Sequence, residues 1–217
     1  MAQLLASPRW GAVATVGRRP LDPPPPQPTA GKLTQVVLDM DSLETDPAAL
    51  AALSGADSCF CSLGTTRGVA GSADAFRRVD YEYVAAAARA AAAARVPHFA
   101  LVSAQGANAR VWASDLAPFH GLLYAKTKGR AEEAVTSRAF RCSTIARPGL
   151  LERGDLTRGA ERVFARLVSS VPAAGVAAAL VRDAERCHAA PAAAGAAPEV
   201  RVLEMKELQA IAKEAAR

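Results

Sequence analysis

Short apolar runs alternate along this chain with longer stretches whose apolar residues recur at helical spacing. Gly11–Val16 (GAVATV) predicts a buried strand that ends at Gly17-Arg18-Arg19. Further strands are predicted at Gln35–Leu38, Ser58–Ser62, His98–Ser103 and Cys142–Ala146. Each of these closes on a turn signal: Asp39, then Leu63-Gly64-Thr65-Thr66, then a polar loop from Ala104 to about Pro118, then Arg147-Pro148-Gly149. Between the strands the spacing predicts helices over Asp46–Leu53, Ser72–Arg95 and Gly121–Arg138, with Ser72 as an N-cap and Pro97 as a stop for the second. Beyond Gly149 the chain reads mostly as helix, with a late strand at Glu199–Leu203 and a last amphipathic helix at Met205–Ala215. Strands alternating with helices predict an α/β fold, a mainly parallel sheet with helices on both faces. Ligands of such sheets sit beyond the carboxyl ends of the strands, so the residues just after each strand matter most.

Composition changes this picture at a few points. The 217 residues suit one domain spanning 1–217, with substrate-side helices mainly at 150–190. Hydrophobic residues make up 51%, but aromatics only 5% and alanine abounds, so the core must rest on close backbone packing and on Val, Leu and Ile. Pro20 to Pro28, with prolines at every position from Pro23 to Pro26, predicts a stiff exposed loop. Ala189–Pro198 predicts a flexible connection. The net charge of +5 comes from 26 basic and 21 acidic residues that are interspersed, as at Glu132, Glu133, Asp183 and Glu185. No basic face emerges, which argues against nucleic acid as a partner. No apolar run reaches the roughly 18 residues of a membrane span. Cys59, Cys61, Cys142 and Cys187 have no zinc-type spacing and predict reduced structural thiols, the first two sharing one face of a strand. His98, His120 and His188 are too dispersed in sequence to suggest a metal or hydrolase motif.

The candidate chemistry lies in Tyr124 and Lys128, four apart on a predicted helix and therefore neighbours on one face. A phenol loses its proton only near pH 10, and an adjacent ammonium favours the phenolate. The phenol then becomes a usable general acid or base near neutrality. Ser103, at the end of the preceding strand, is a candidate to hold a substrate carbonyl. Spacing alone is a weak signal, because Tyr-x-x-x-Lys arises by chance in many helices and a surface tyrosine stacked on a lysine stem is the plainer alternative.

Longer blocks carry more. Leu63-Gly64-Thr65-Thr66-Arg67-Gly68 runs on to Ala70-Gly71. Phe76-x-x-Val79-Asp80-x-x-Tyr83-Val84, Tyr124-x-x-x-Lys128-Gly129-x-x-Glu132 and Arg147-Pro148-Gly149 follow in order. With these blocks the chain resembles an atypical short-chain dehydrogenase/reductase of the Tat-interacting-protein oxidoreductase group, which has fungal mitochondrial relatives. The resemblance runs from about Leu4 to the C-terminal helix. It implies a Rossmann-like fold, NADP(H) as cofactor and hydride transfer to or from a small carbonyl or alcohol substrate, whose identity cannot be read. It makes Tyr124 the general acid/base and Lys128 the ribose anchor, with Ser103 beside them. It sets Arg18 and Arg19 on the adenosine 2′-phosphate, and Asp39 and Met40 near the adenine. Leu63, Gly64 and Thr65 would line the cofactor groove, with Pro148 and Gly149 on the nicotinamide side.

Three departures from the family qualify this. The family opens with a strand and a GxxGxxG turn, and no Gly-rich turn precedes Gly11 here. That turn gives backbone N–H groups and a helix N-terminus to the pyrophosphate. The neighbours of its strand are expected to carry unpaired backbone groups. The family's second serine after the fifth strand aligns with Ala104, so Ser103 matches only the first. The loop from Ala107 to His120 is also longer than usual. Two accounts stay open: a fragment or splice form of an ordinary reductase, and a degenerate member that no longer binds cofactor. The alternative function is a non-catalytic regulatory or interaction protein with protein partners in apoptosis, transcription or nuclear transport. The expected compartment is the cytoplasm. The alternatives are peripheral association with the mitochondrial outer membrane and the nuclear envelope.

Overall fold

The computed structural model describes residues 1–22, 29–152, 170–190 and 197–215. The proline run at 23–28, the helical reading of 153–169 and the flexible connection at 191–196 lie outside the described residues.

The central layer is a parallel sheet of β3 (Ser58–Cys61), β4 (His98–Val102), β5 (Cys142–Ala146) and β8 (Glu199–Leu203), in that spatial order. Its middle strands, HFALV and CSTIA, are buried along almost their whole length, as a sheet covered on two sides requires. Alternation divides their side chains. Phe99, Leu101 and Ile145 join Val84, Ala88 and Ala91 of helix α5 (Tyr83–Ala93) and Ala131 and Val135 of helix α6 (His120–Thr136). Ala100, Ala146 and Leu203 join Val176, Ala179 and Leu180 of α7 (Ala173–Ala189) and Leu208 of α8 (Met205–Ala215) on the other face. The result is helix, sheet, helix, as the sequence predicts. Small side chains bring the layers close: a Cβ on Gly175 of α7 would stand 2.3 Å from that of Ala212 in α8.

The sheet is divided at the place of the family's first strand, whose neighbours were expected to carry unpaired backbone groups. β1 (Val13–Gly17) pairs with β2 (Leu33–Val37) and with no other described strand, and β3 pairs only with β4. In the doubly wound order the family's first strand lies between its second and fourth. No described residue fills that place, so β1 and β3 each keep one unpaired edge. Val16, Leu38 and Leu63 bridge the division by packing with Met40, Leu43, Ala49 and Ala86. A small parallel pair, β6 (Leu150–Glu152) and β7 (Ser170–Pro172), was not foreseen.

The single helix read over Ser72–Arg95 is present from Ala73 to Ala93, with one widened stretch inside it. Ser72 caps α4 (Ala73–Arg77) through its hydroxyl, which accepts from the Ala75 N–H at 3.1 Å. A widened turn of π type follows at Arg78–Glu82, and α5 then begins. The turn carries Asp80 into the interior, fully buried. A short helix, α3 (Arg67–Ala70), precedes them, capped by Thr66 and ended by Gly71 at φ +85°.

The amino ends of the strands form one seam. Ser58, His98, Cys142 and Glu199 lie side by side in register. The Thr144 hydroxyl donates to Asp183 at 2.6 Å, so the nitrogen facing it, His98 Nε2 at 2.9 Å, must carry a proton. His98 Nδ1 then accepts from Ser58 Oγ at 2.9 Å, and Ser58 accepts from His188 Nε2 at 2.9 Å. Two histidines that look dispersed in sequence are thus joined through one hydroxyl, and His98 is a satisfied core residue, as its strand-end position suggested. The expectation of four reduced thiols is corrected here: Cys142 and Cys187 form a disulfide. The first residue of β5 meets the last turn of α7 with Cα atoms 6.4 Å apart, a pairing that 45 residues of separation conceal. Cys59 and Cys61 remain thiols, and burial raises both, Cys61 to about 11.

Candidate functional site

At the carboxyl ends of the strands, one stripe of α6 organises the site. Tyr124, Lys128 and Glu132 follow one another at four-residue intervals, about 6 Å per step along the axis. Each meets different partners.

Tyr124 lies against Phe76, with ring centroids 5.9 Å apart, and near His120 at 6.3 Å. Ala70, Ala73, Ala113 and Leu123 complete this apolar surround. One turn on, Lys128 Nζ stands 2.9 Å from Asp80 Oδ1, with 6% and 1% of the two side chains exposed. The other Asp80 oxygen accepts the Thr65 N–H at 2.7 Å. A Cβ on Gly64 would come within 3.3 Å of both Lys128 Nζ and Asp80 Oδ1, so the turn after β3 lies directly on the ion pair. Two turns on, Glu132 binds Arg147 through both oxygens, at 2.9 and 2.5 Å, and accepts from Ser103 Oγ at 2.5 Å. Arg147 also reaches Glu204 at 3.1 Å. Glu132 thereby ties together the ends of β4, β5 and β8.

Beside this stripe, the loop after β4 crosses α6 at Gly129. A Cβ there would lie 2.1 Å from the Ala109 nitrogen, and the Asn108 N–H donates to the Ala125 carbonyl at 2.9 Å. The glycine that follows Lys128 is needed for this crossing. A cavity of about 560 Å³ opens beside Asn108, Arg110, Gly129, Glu132, Arg147 and Val202, and neither Tyr124 nor Gly64 lines it.

The structure brings Leu63, Gly64, Thr65 and Lys128 together, and sets Tyr124 one turn from them. Ser103 stands apart, its hydroxyl engaged by Glu132. Pro148 is buried, its carbonyl accepting from the Gln105 N–H at 2.8 Å, and the Gly149 N–H faces Met205 Sδ at 3.3 Å. Arg18 and Arg19 are exposed just past β1, with no ion pair to a described residue. Asp39 caps the turn at Met40–Ser42, accepting from the Asp41 N–H at 3.1 Å, and Met40 is buried beneath. Sequence reasoning quoted Asp80 and Glu132 inside motifs but gave them no role. For Glu132 the signal was available in its spacing from Tyr124 and Lys128. For Asp80 too a spacing signal existed: it falls four residues after Phe76 and four before Val84, on the buried face of its helix.

Parallel strands, helices on both faces and this stripe across the strand ends define a Rossmann-like nucleotide-binding protein. The model of the NAD(P)H-binding family matches residues 1–187, and the chain belongs to that family. Among its relatives, the mitochondrial protein FMP52-1 of Scheffersomyces stipitis is 39% identical over 140 residues, covering 64% of this chain and 55% of the relative. Protein HTATIP2 of Rattus norvegicus is 33% identical over 151 residues, covering 70% and 56%. These are the groups that the sequence resembles. The chain spans little more than half the length of these two relatives. Among solved structures, MoeE5 in complex with UDP-glucose and NAD aligns with a TM-score of 0.62 at 16% identity, covering 94% of this chain and 73% of that one. The oxidoreductase ylbE of Lactococcus lactis aligns with a TM-score of 0.56 at 19% identity, covering 91% and 84%. They share the fold.

The residues present fit a dinucleotide in part. The bare Gly64 backbone over Lys128 leaves room that any side chain would take, and two arginines with no ion pair to a described residue stand beyond β1. Among the described residues no Gly-rich turn opens a helix where a pyrophosphate would sit.

Proposed function

We propose that this chain is an NADP(H)-binding oxidoreductase-type protein that exchanges hydride with a small carbonyl or alcohol. The observation that carries the reading is the Tyr124–Lys128 step of α6 set against the Gly64–Thr65 turn. Bound NADP(H) would supply the hydride. Tyr124 would give or take the proton at the substrate oxygen, within an apolar surround that keeps water from competing. Lys128 would hold the nicotinamide ribose. Arg18 and Arg19 would favour NADP over NAD, because guanidinium meets a phosphate bidentately. Asp39 and Met40 would face the adenine, and Pro148 and Gly149 would bound the nicotinamide side. Ser103 is a poor partner for the carbonyl while Glu132 takes its proton, so Tyr124 bears the proton chemistry alone.

That engagement of Ser103, together with Ala104, favours a second reading: a dinucleotide-binding protein that turns over little and acts through protein partners. NADPH titration followed by nucleotide fluorescence tests the first claim. Saturation below about 1 mM is expected, and no binding by the folded chain at that concentration overturns it. The Tyr124→Phe variant then separates the readings. Loss of NADPH consumption with binding retained supports catalysis. A cellular phenotype that survives the change supports the partner role.

No helix of the described residues is long and apolar enough to cross a membrane. We place the protein in the cytoplasm, with mitochondria as the alternative that the fungal relatives' names supply. Separate tags on the two ends, followed through organelle import, distinguish these.

A further inference from the structure

We propose that Asp80 is a positioning residue for Lys128: it sets where the ammonium stands and couples it to the Gly64–Thr65 turn. This rests on the dinucleotide reading above. A lysine on a four-carbon stem has many rotamers, and an ammonium buried without a counter-charge is strongly unfavourable. Lys128 is 4% exposed, and Asp80 is the one carboxylate within ion-pair distance of it among the described residues. Glu132, one turn away, is occupied by Arg147 and Ser103. Asp80 therefore decides the direction of Nζ.

The same carboxylate spans two elements. One oxygen takes the ammonium and the other takes the backbone N–H of Thr65, so the end of β3 and the middle of α6 are referred to a single group. The widened turn at Arg78–Glu82 makes this reach available, and π-type turns recur where a side chain must be re-aimed for function. The unbranched Gly64 lets the backbone lie on the pair within contact distance. A ligand lying over Gly64 would meet the ammonium that Asp80 positions.

The test is a double-mutant cycle on the full chain with Asp80→Asn, Lys128→Met and the two combined, read by NADPH titration. Asp80→Asn is expected to weaken NADPH about tenfold, the loss of one charge-assisted contact. In the Lys128→Met background the same change should have no further effect, because Asp80 acts through the lysine. Equal binding by Asp80→Asn and the parent overturns the proposal. So does an unchanged tenfold loss in the Lys128→Met background, which would mark a purely structural role. Should Asp80→Asn not fold, Asp80→Glu keeps the charge while moving it by one methylene. It then takes the place of Asn in the cycle, under the same criteria. A parent chain that binds no NADPH refutes the dinucleotide reading itself, a different outcome from a parent that binds and an Asp80 variant that binds equally.

Discussion

His98 is buried between Ser58 and Thr144 and, when neutral with Nε2 protonated, has hydrogen-bond partners at both ring nitrogens. Burial, and then the neighbouring His188, lower its pKa from 6.5 to about 4. The unfolded chain takes up this proton as pH falls through about 6.5, while the folded chain resists until about 4. Stability from this group is therefore full above pH 6.5 and declines in the window below it, by at most about 1.4 kcal/mol per pH unit. Urea unfolding between pH 7 and pH 4.5 should show that decline, and a His98→Gln variant should show a shallower one. Equal slopes would mean that other groups govern the acid limb. The same residue marks how far the sequence could be read. Its position at a strand end was legible, and so was the Tyr124–Lys128 pair, because both follow from local periodicity. The approach of His188, the turn of Ser103 toward Glu132 and the pairing of Asp80 with Lys128 depend on contacts across 29 or more residues. No local pattern encodes these.

Among the elements, α7 is tied to the sheet most strongly. Cys187 is bonded to Cys142, Asp183 takes Thr144 and Arg201, His188 takes Ser58, and Arg141 reaches back to the Ala190 carbonyl at 3.0 Å. The disulfide closes 45 residues, for which loop entropy gives about 4 kcal/mol. A reductant or Cys187→Ser should lower the unfolding free energy by roughly 2–4 kcal/mol. Thiol titration of the unfolded, unreduced protein should find Cys59 and Cys61 alone, and reaction at all four cysteines would disprove the bond. Two strands, β5 and β8, fall on their predicted bounds, and so does helix α8. The long Ala-rich helix was legible from its Ser72 cap to its end near Arg95, but its composition gives no cue for the π-type stretch inside it.

Across the whole molecule, layer order and parallel topology follow from the alternation of strands and helices, and both were foreseen. The divided sheet gives the two parts unequal protection. β5 is buried at every residue and β4 at all but its last, whereas β1 and β2 are mostly exposed or half-buried. Native-state hydrogen exchange should therefore find the β1–β2 amides opening at a lower free energy than those of β4 and β5. Identical values throughout would show that the two sheets open as one unit.

This imbalance bears on how the chain acquires its shape during synthesis. Val13 to Val37 leaves the ribosome before any strand of the larger sheet exists. Domains ordinarily consolidate from the amino-terminal end as they are made. Among the described strands this pair is made before the others and has little to settle on until Ala49, Leu63 and Ala86 have arrived to complete its apolar seat. These strands are thus made before their seat, with an open strand edge exposed to wrong partners meanwhile.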